Sequence, residues 1–206
     1  MNNFELLAEQ TIVNVTIKAL RNKGYNTLLV VNETEALKKI IELIPNHQSV
    51  MRGSSMTLKT IGFTDYLKSN KHRWTDWHGL VHAEKDPIKR RELRKKTAFA
   101  DYYVGSVNAL TKSGEFLVAS NTGSQLPHIA FTSPHLIFVV STKKIVKNMI
   151  EAFERLEKHV YPLEDERMKK VHGSGSSINK IIIFRGEALA LQRKVNIILV
   201  NKNLGF

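Results

Sequence analysis

The chain has 206 residues, 42% of them hydrophobic and 24% charged, with 31 Lys and Arg against 19 Asp and Glu for a formal charge of +12. That composition suits a globular protein long enough to bury a sizeable core. The absence of cysteine excludes disulfides, thiolate nucleophiles and cysteine-held zinc or iron–sulfur centres.

Residues 4–23 predict an amphipathic helix, with Phe4, Leu7, Ala8, Thr11, Ile12, Val15 and Ala19 on one face. Gly24 stops it, and Tyr25 to Val31 reads as a strand. Asn32 with Glu35 three residues on forms a capping-box pattern that opens a helix through Ile44, ended by Pro45. Ser49 to Met51 reads as a short strand, broken by Arg52-Gly53-Ser54-Ser55 before a helix from Thr57 to Lys68. The alternation so far is that of a sheet covered by helices. Arg73 to His78 is aromatic and extended, and Asp86-Pro87 is a good helix start, with an N-cap aspartate and a first-turn proline. Ala100 to Ser120 holds two extended segments around a Lys112-Ser113-Gly114 turn. A turn at 121–125, a short helical stretch and a buried strand at 136–140 follow. Residues 143–158 predict another amphipathic helix, with Ile145, Met149, Ala152, Phe153 and Leu156 on one face. His172 to Ser177 reads as a loop, and β-rich runs at 180–185 and 195–201 complete the pattern. No linker separates domains, so a single domain over residues 1–206 is expected.

No apolar run approaches a membrane span, and Glu5 and Glu9 with no basic stretch beside them argue against a secretory signal, so a cytoplasmic location is expected. Lys89, Arg90, Arg91, Arg94, Lys95 and Lys96 crowd one predicted helix against Glu92 alone. A solvated helix face is the first reading of such a stripe, and docking to an acidic partner the second. Nucleic acid ranks third, since no aromatic interleaves with the charges and no nucleic-acid-binding motif is present.

Three small-residue loops offer hydroxyls and backbone N–H groups to an anion: Gly53-Ser54-Ser55 with Thr57, then Asn121-Thr122-Gly123-Ser124, then Gly173 to Ser177. The first two follow strands, where ligands of open α/β sheets collect. Lys143 and Lys144 fall in the first turn of the predicted 143–158 helix. Positive charge there opposes the helix dipole by some tenths of a kcal/mol, which a bound anion would reverse. Glu115, just past the hairpin turn, is the candidate nucleophile or base. His72, His78 and His82 lack an acidic partner, so no metal is expected. Trp74 and Trp77 read as core residues. No Gly-x-Gly-x-x-Gly or Walker-type loop is present, and no cofactor is indicated.

Several segments together are similar to the LUD family of lactate-utilisation domain proteins: Gly53-Ser-Ser-Met-Thr-Leu-Lys-Thr-Ile-Gly62, Ala100-Asp101, Asn108-Ala109, Asn121-Thr-Gly-Ser124, Val139-Val140 with Lys144-Ile145-Val146, and the ending from Ile197 to Phe206. The resemblance covers nearly the whole chain. It implies a three-layer α/β/α fold with a mostly parallel sheet, like ribose-phosphate isomerases and CoA transferases, and adds Asn108 to the ligand-binding candidates. It further implies organic-acid metabolism between lactate and pyruvate, a small anionic ligand such as a carboxylate, phosphate or CoA-like group, and an iron–sulfur partner protein. Some members carry a cysteine cluster where this chain has His172 to Ser177, so no cluster can be held there. Catalysis is left open by these residues, and an accessory subunit that docks a redox partner is the alternative reading.

Overall fold

Alternating apolar side chains along its strands let one sheet face two separate cores. The computed structural model describes residues 4–69 and 71–206. The first half comprises α1 (Gln10–Asn22), β1 (Asn26–Val30), α2 (Glu33–Leu43), β2 (Ser49–Arg52), α3 (Met56–Thr60), α4 (Phe63–Lys68), β3 (Thr75–Asp76), α5 (Trp77–Ala83) and α6 (Pro87–Lys96). Then come β4 (Tyr102–Gly105), β5 (Ala109–Thr111), β6 (Phe116–Ser120), β7 (His135–Ser141) and β8 (Ile145–Val146). The chain continues with α7 (Met149–Arg155), α8 (Tyr161–His172), β9 (Lys180–Phe184) and β10 (Lys194–Val200).

Six strands form one sheet in the order β1-β10-β7-β4-β2-β3, with every neighbouring pair parallel. This is the α/β fold with a mostly parallel, helix-flanked sheet expected from the sequence. A second, mixed sheet in the order β8-β5-β6-β9 was not foreseen, because β5 and β8 have only three and two residues. The predicted hairpin is its centre, with β5 and β6 antiparallel. No helix among the described residues is long and apolar enough to cross a membrane.

Ile137, Val139, Ile198 and Val200 pack with Ala36 and Ile40 of α2 and with Leu58 and Phe63 on one face. Leu136, Phe138, Val140, Ile197 and Leu199 point the other way, onto Val13 and Leu20 of α1 and Phe116 of the small sheet. Period-two alternation thus divides each strand between the cores. α7 and the turn after it cover the far side of the small sheet through Ala152 and Leu156. At the amino ends, the Asp101 carboxylate accepts hydrogen bonds from Ser49 N (2.8 Å) and Ser49 Oγ (2.6 Å), fixing the start of β4 against β2.

Three helix predictions need correction. In α1 the buried positions are Val13, Thr16 and Leu20, whereas Thr11 is exposed and Val15 is 54% exposed. Residues 4–9 lie outside the helix, and including Phe4, Leu7 and Ala8 rotated the apparent face away from the 13-16-20 stripe. The helix expected over 57–68 is two helices, broken at Gly62 with φ +79°, a left-handed conformation that costs other residues about 1 kcal/mol or more. The helix expected from 143 starts at Met149, where the Asn148 side chain caps Glu151 N at 3.0 Å. Residues 142–144 make a 3₁₀ turn and 145–146 form β8, so Lys143 and Lys144 are not first-turn residues and the dipole argument lapses. Helical backbone then runs on to His172 through a widened turn at 156–160, which accommodates Pro162.

His128, in the turn before β7, is buried against Tyr103 and lies 3.3 Å from Ser133 Oγ. Burial pushes its imidazole down to about 4. The unfolded chain therefore binds a proton near pH 6.5 that the folded chain refuses until about pH 4, so stability falls as pH drops through that window. Acidification from pH 7 to pH 4 should remove on the order of 2–3 kcal/mol through this group. Denaturant melts across that range should show a flatter slope for His128→Phe, which keeps a ring against Tyr103 but cannot titrate.

Candidate functional site

β2 and β4 are hydrogen-bonded neighbours whose carboxyl ends lead to opposite faces of the sheet. From β2 the chain passes through Gly53-Ser54-Ser55 into α3, whose Leu58 joins the α2-side core. From β4 it passes through Ser106 and Val107 to β5, on the α1 side. Loops that diverge from adjacent parallel strands leave a crevice between them. A cleft of about 630 Å³ opens there.

Its floor is formed by Met51 to Thr57, Ser106 to Asn108 and Lys144. One rim is Ser120 to Thr122 with Ser124 and Gln125; another is Ser176 and Ser177. His78 and His82 of α5, Arg94 of α6, and Tyr161, Glu164 and Arg167 of α8 stand around it. Of the residues singled out by sequence, Gly53, Ser54, Ser55, Thr57, Asn108, Asn121, Thr122, Ser124 and Lys144 converge on this cleft from four separate segments. Gly123 shapes the 121–124 turn with φ +82° but does not line the cleft.

The two lysines part company. Lys143 is buried, with Nζ 2.9 Å from a Glu5 carboxylate oxygen; His159 Nε2 is 2.8 Å from the other. It pins the segment before α1 and lies away from the cleft. Lys144 Nζ instead contacts Thr57 Oγ1 at 3.2 Å, Ser106 Oγ at 3.1 Å and the Val107 carbonyl at 3.1 Å. Burial pushes its ammonium well below the usual lysine range, and the charges of Arg155 and Lys143 push the same way. Among the described residues, no carboxylate forms an ion pair with it.

Arg155 is fully buried behind this floor, and its Nη1 donates to the Asn108 carbonyl. Burial lowers its guanidinium to about 10. Asn108 Oδ1 accepts from Ala119 N at 2.7 Å, so this side chain also ties the two hairpin strands together. Gly53 is required by packing: a Cβ there would sit 2.5 Å from the Tyr103 hydroxyl and 2.9 Å from Gln125 Oε1, two groups that hydrogen-bond at 3.0 Å. Gly205, with φ +62°, lets the segment after β10 lie directly against Thr57.

Among the described lining residues, the guanidiniums of Arg52, Arg94 and Arg167 outnumber one carboxylate, Glu164, which pairs with Arg167 at 2.7 Å; Asp76, behind the lining, is close enough for its charge to act on Arg52. Arg52 Nε is buried without a hydrogen-bond partner. His78 is driven to about 3, first by burial and then by the charge of Arg52, and its ring stacks on His82 at 4.3 Å. Near neutral pH His78 is uncharged while the arginines keep their charge, so the cleft favours an anion. Glu115 lies elsewhere, 3.5 Å from Arg185, and is not among the lining residues. Histidine 72 stacks on Trp74 and is likewise apart from the cleft. A second hollow of about 530 Å³, lined by Arg21, Asn26 and Asn196, sits near the opposite, amino ends of β1 and β10, where parallel sheets seldom hold ligands.

Arg52, His78, Arg94 and Tyr103 were not identified as site residues from the sequence. Arg52 adjoins the Gly53 loop, and His78 and His82 have the four-residue spacing of one helix face, so some local signal existed. Arg94 was visible only as part of a basic run, and nothing local places Tyr103 beneath the loop.

Fold and cleft thus define an α/β protein with a cationic strand-end pocket. The LUD domain family model matches residues 13–198, and the chain belongs to that family, which is associated with lactate utilisation. Among solved structures, the chain is similar to a DUF162 family protein from Deinococcus radiodurans. The TM-score is 0.59 at 12% identity, over 95% of this chain and 100% of the other, a likeness of fold alone. No curated protein matches the chain.

Proposed function

We propose that the protein serves organic-acid metabolism of the lactate–pyruvate type in the cytoplasm, binding a small organic anion in the strand-end cleft. The observation that carries this reading is the excess of cations over carboxylates lining the cleft. Arg52 Nε is buried without a hydrogen-bond acceptor, a cost that an anionic ligand would offset. Arg52 and Arg94 supply charge, while Ser54, Ser55, Thr57, Asn121, Thr122 and Ser124 supply hydrogen-bonding groups around the ligand. Lys144, nearly fully buried, lines the same cleft.

A thermal-shift panel of lactate, pyruvate, sugar phosphates, CoA and acyl-CoA esters tests this reading. Ligand at about 100 times its dissociation constant should stabilise by roughly 2.7 kcal/mol. We expect a response to one class that survives moderate salt and is lost in Arg52→Gln without unfolding. Silence from every compound would contradict the reading.

A second reading concerns α6. None of its ten residues is buried, and Ile88 is exposed along with its basic side chains. The neighbouring turns carry Phe99 and Phe131, 84% and 68% exposed. A cationic helix beside apolar surface suits an acidic protein partner, and an iron–sulfur redox protein has that character. Calorimetry at low salt with a plant-type ferredoxin as acidic probe should detect binding. Lys89, Arg91 and Lys96 changed together to Glu should abolish it while the metabolite response persists, because Arg94 is left in place. Equal binding by this variant would remove the second reading.

A further inference from the structure

We propose that Lys144 is a nucleophile that captures a short oxo acid as a Schiff base on the floor of the cleft. The inference rests on the anion-binding reading of the same site and adds a covalent step to it.

The contrast between two adjacent buried lysines carries it. Lys143 and Lys144 are each 4% exposed, yet only Lys143 has a carboxylate partner, Glu5 at 2.9 Å. Lys144 is surrounded by two hydroxyls and a carbonyl, with Arg155 and Lys143 as its charged neighbours. A group so placed is better held as a neutral amine than as an ammonium, as for lysines activated by desolvation beside other cations.

The hydrogen bonds fit a neutral amine as well. The Val107 carbonyl can only accept, so it takes one N–H. Thr57 Oγ1 and Ser106 Oγ can each accept or donate; one takes the second N–H and the other donates to the lone pair. When that hydroxyl turns away, the lone pair is free to attack. Four other lining groups matter to the choice of substrate. Arg52 and Arg94 select a carboxylate, and the Thr57 and Ser106 hydroxyls can pass protons to and from an oxygen bonded to the attacked carbon. A ligand that uses both the amine and the guanidiniums must carry a carbonyl and a carboxylate, which is an oxo acid.

The step balances without an oxidant or reductant. The Nζ lone pair forms a bond to the carbonyl carbon as the C=O π pair moves onto oxygen, and one N–H proton passes through a neighbouring hydroxyl to that oxygen, giving a neutral carbinolamine. The nitrogen lone pair then forms the second bond to carbon as the C–O bond breaks, and the oxygen leaves as water carrying the remaining N–H proton, which leaves a neutral imine. Lys144 is a catalytic residue in this scheme; Thr57 and Ser106 position it and relay protons.

Borohydride trapping tests the proposal on the full chain. Protein would be incubated at neutral pH with pyruvate, 2-oxobutyrate or acetoacetate, reduced, and examined by intact mass and peptide mapping. Lactate, which has the carboxylate but no carbonyl, is the control. We expect one reduced adduct per chain, on the peptide containing Lys144, with the three acids separating 2-oxo from 3-oxo preference. It should be absent with lactate and in both Lys144→Arg and Lys144→Met, two replacements chosen so that at least one folds. Thr57→Val with Ser106→Ala should slow trapping at saturating pyruvate, and trapping at the wild-type rate would remove the relay role. Adduct scattered over surface lysines, or equal labelling of the Lys144 variants, would overturn the proposal. A salt-tolerant thermal response to pyruvate without trapping would sink the Schiff base and leave the anion site standing. Neither trapping nor a thermal response would sink both.

Discussion

Lys144 reaches from the end of β7 to the loops that leave β2 and β4, and the cleft depends on that reach. Its amine bonds Thr57 in the first turn of α3 and Ser106 with Val107 on the opposite branch. Those branches diverge because the chain leaves adjacent parallel strands toward opposite faces of the sheet. A buried donor joining both gives the floor of the crevice a fixed geometry. The surrounding details serve the same floor: Gly53 makes room for the Tyr103–Gln125 hydrogen bond, and Gly205 lets the chain after β10 lie against Thr57.

Electrostatics divides the molecule's basic residues into three uses. Lys143 is neutralised by Glu5 and secures the segment preceding α1. The charges of α6 other than Arg94, which borders the cleft, remain in solvent, where screening makes each worth little to stability. Arg52, Arg155 and Lys144 are withdrawn from water around one crevice, and burial lowers the pKa of all three. Retaining such groups is costly unless a ligand or a chemical step uses them. The formal charge of +12 by itself could not distinguish these uses.

Much of the fold was legible because local and tertiary signals agreed. Asn32 and Asp86 cap the helices their neighbours predicted, and the apolar runs around 136–140 and 195–201 became the central strands β7 and β10. Errors arose where the local pattern was ambiguous. The stretch after β7 has helical periodicity from Ile145, yet its first residues are drawn into β8 by pairing with Leu110 and Thr111. That long-range contact leaves no mark within a short window. Loop residues such as Ser54, Thr57 and Thr122 could be singled out by type and by their place after a strand. His78 and Arg94 come to the same cleft on helices whose placement follows from chain topology rather than from any spacing near the loops.

The protonation state of Lys144 is the most direct test of why the site has this form. Lysine-selective ¹³C labelling with a Lys144→Met comparison would assign its Cε resonance, which could then be followed across pH. A titration well below the ordinary lysine value of 10.5, moving upward when an unreactive anion such as lactate occupies the cleft, is the expected result. A Lys144 resonance that titrates together with the exposed lysines, unchanged by any anion, would contradict a cleft built around a buried amine without a counter-ion.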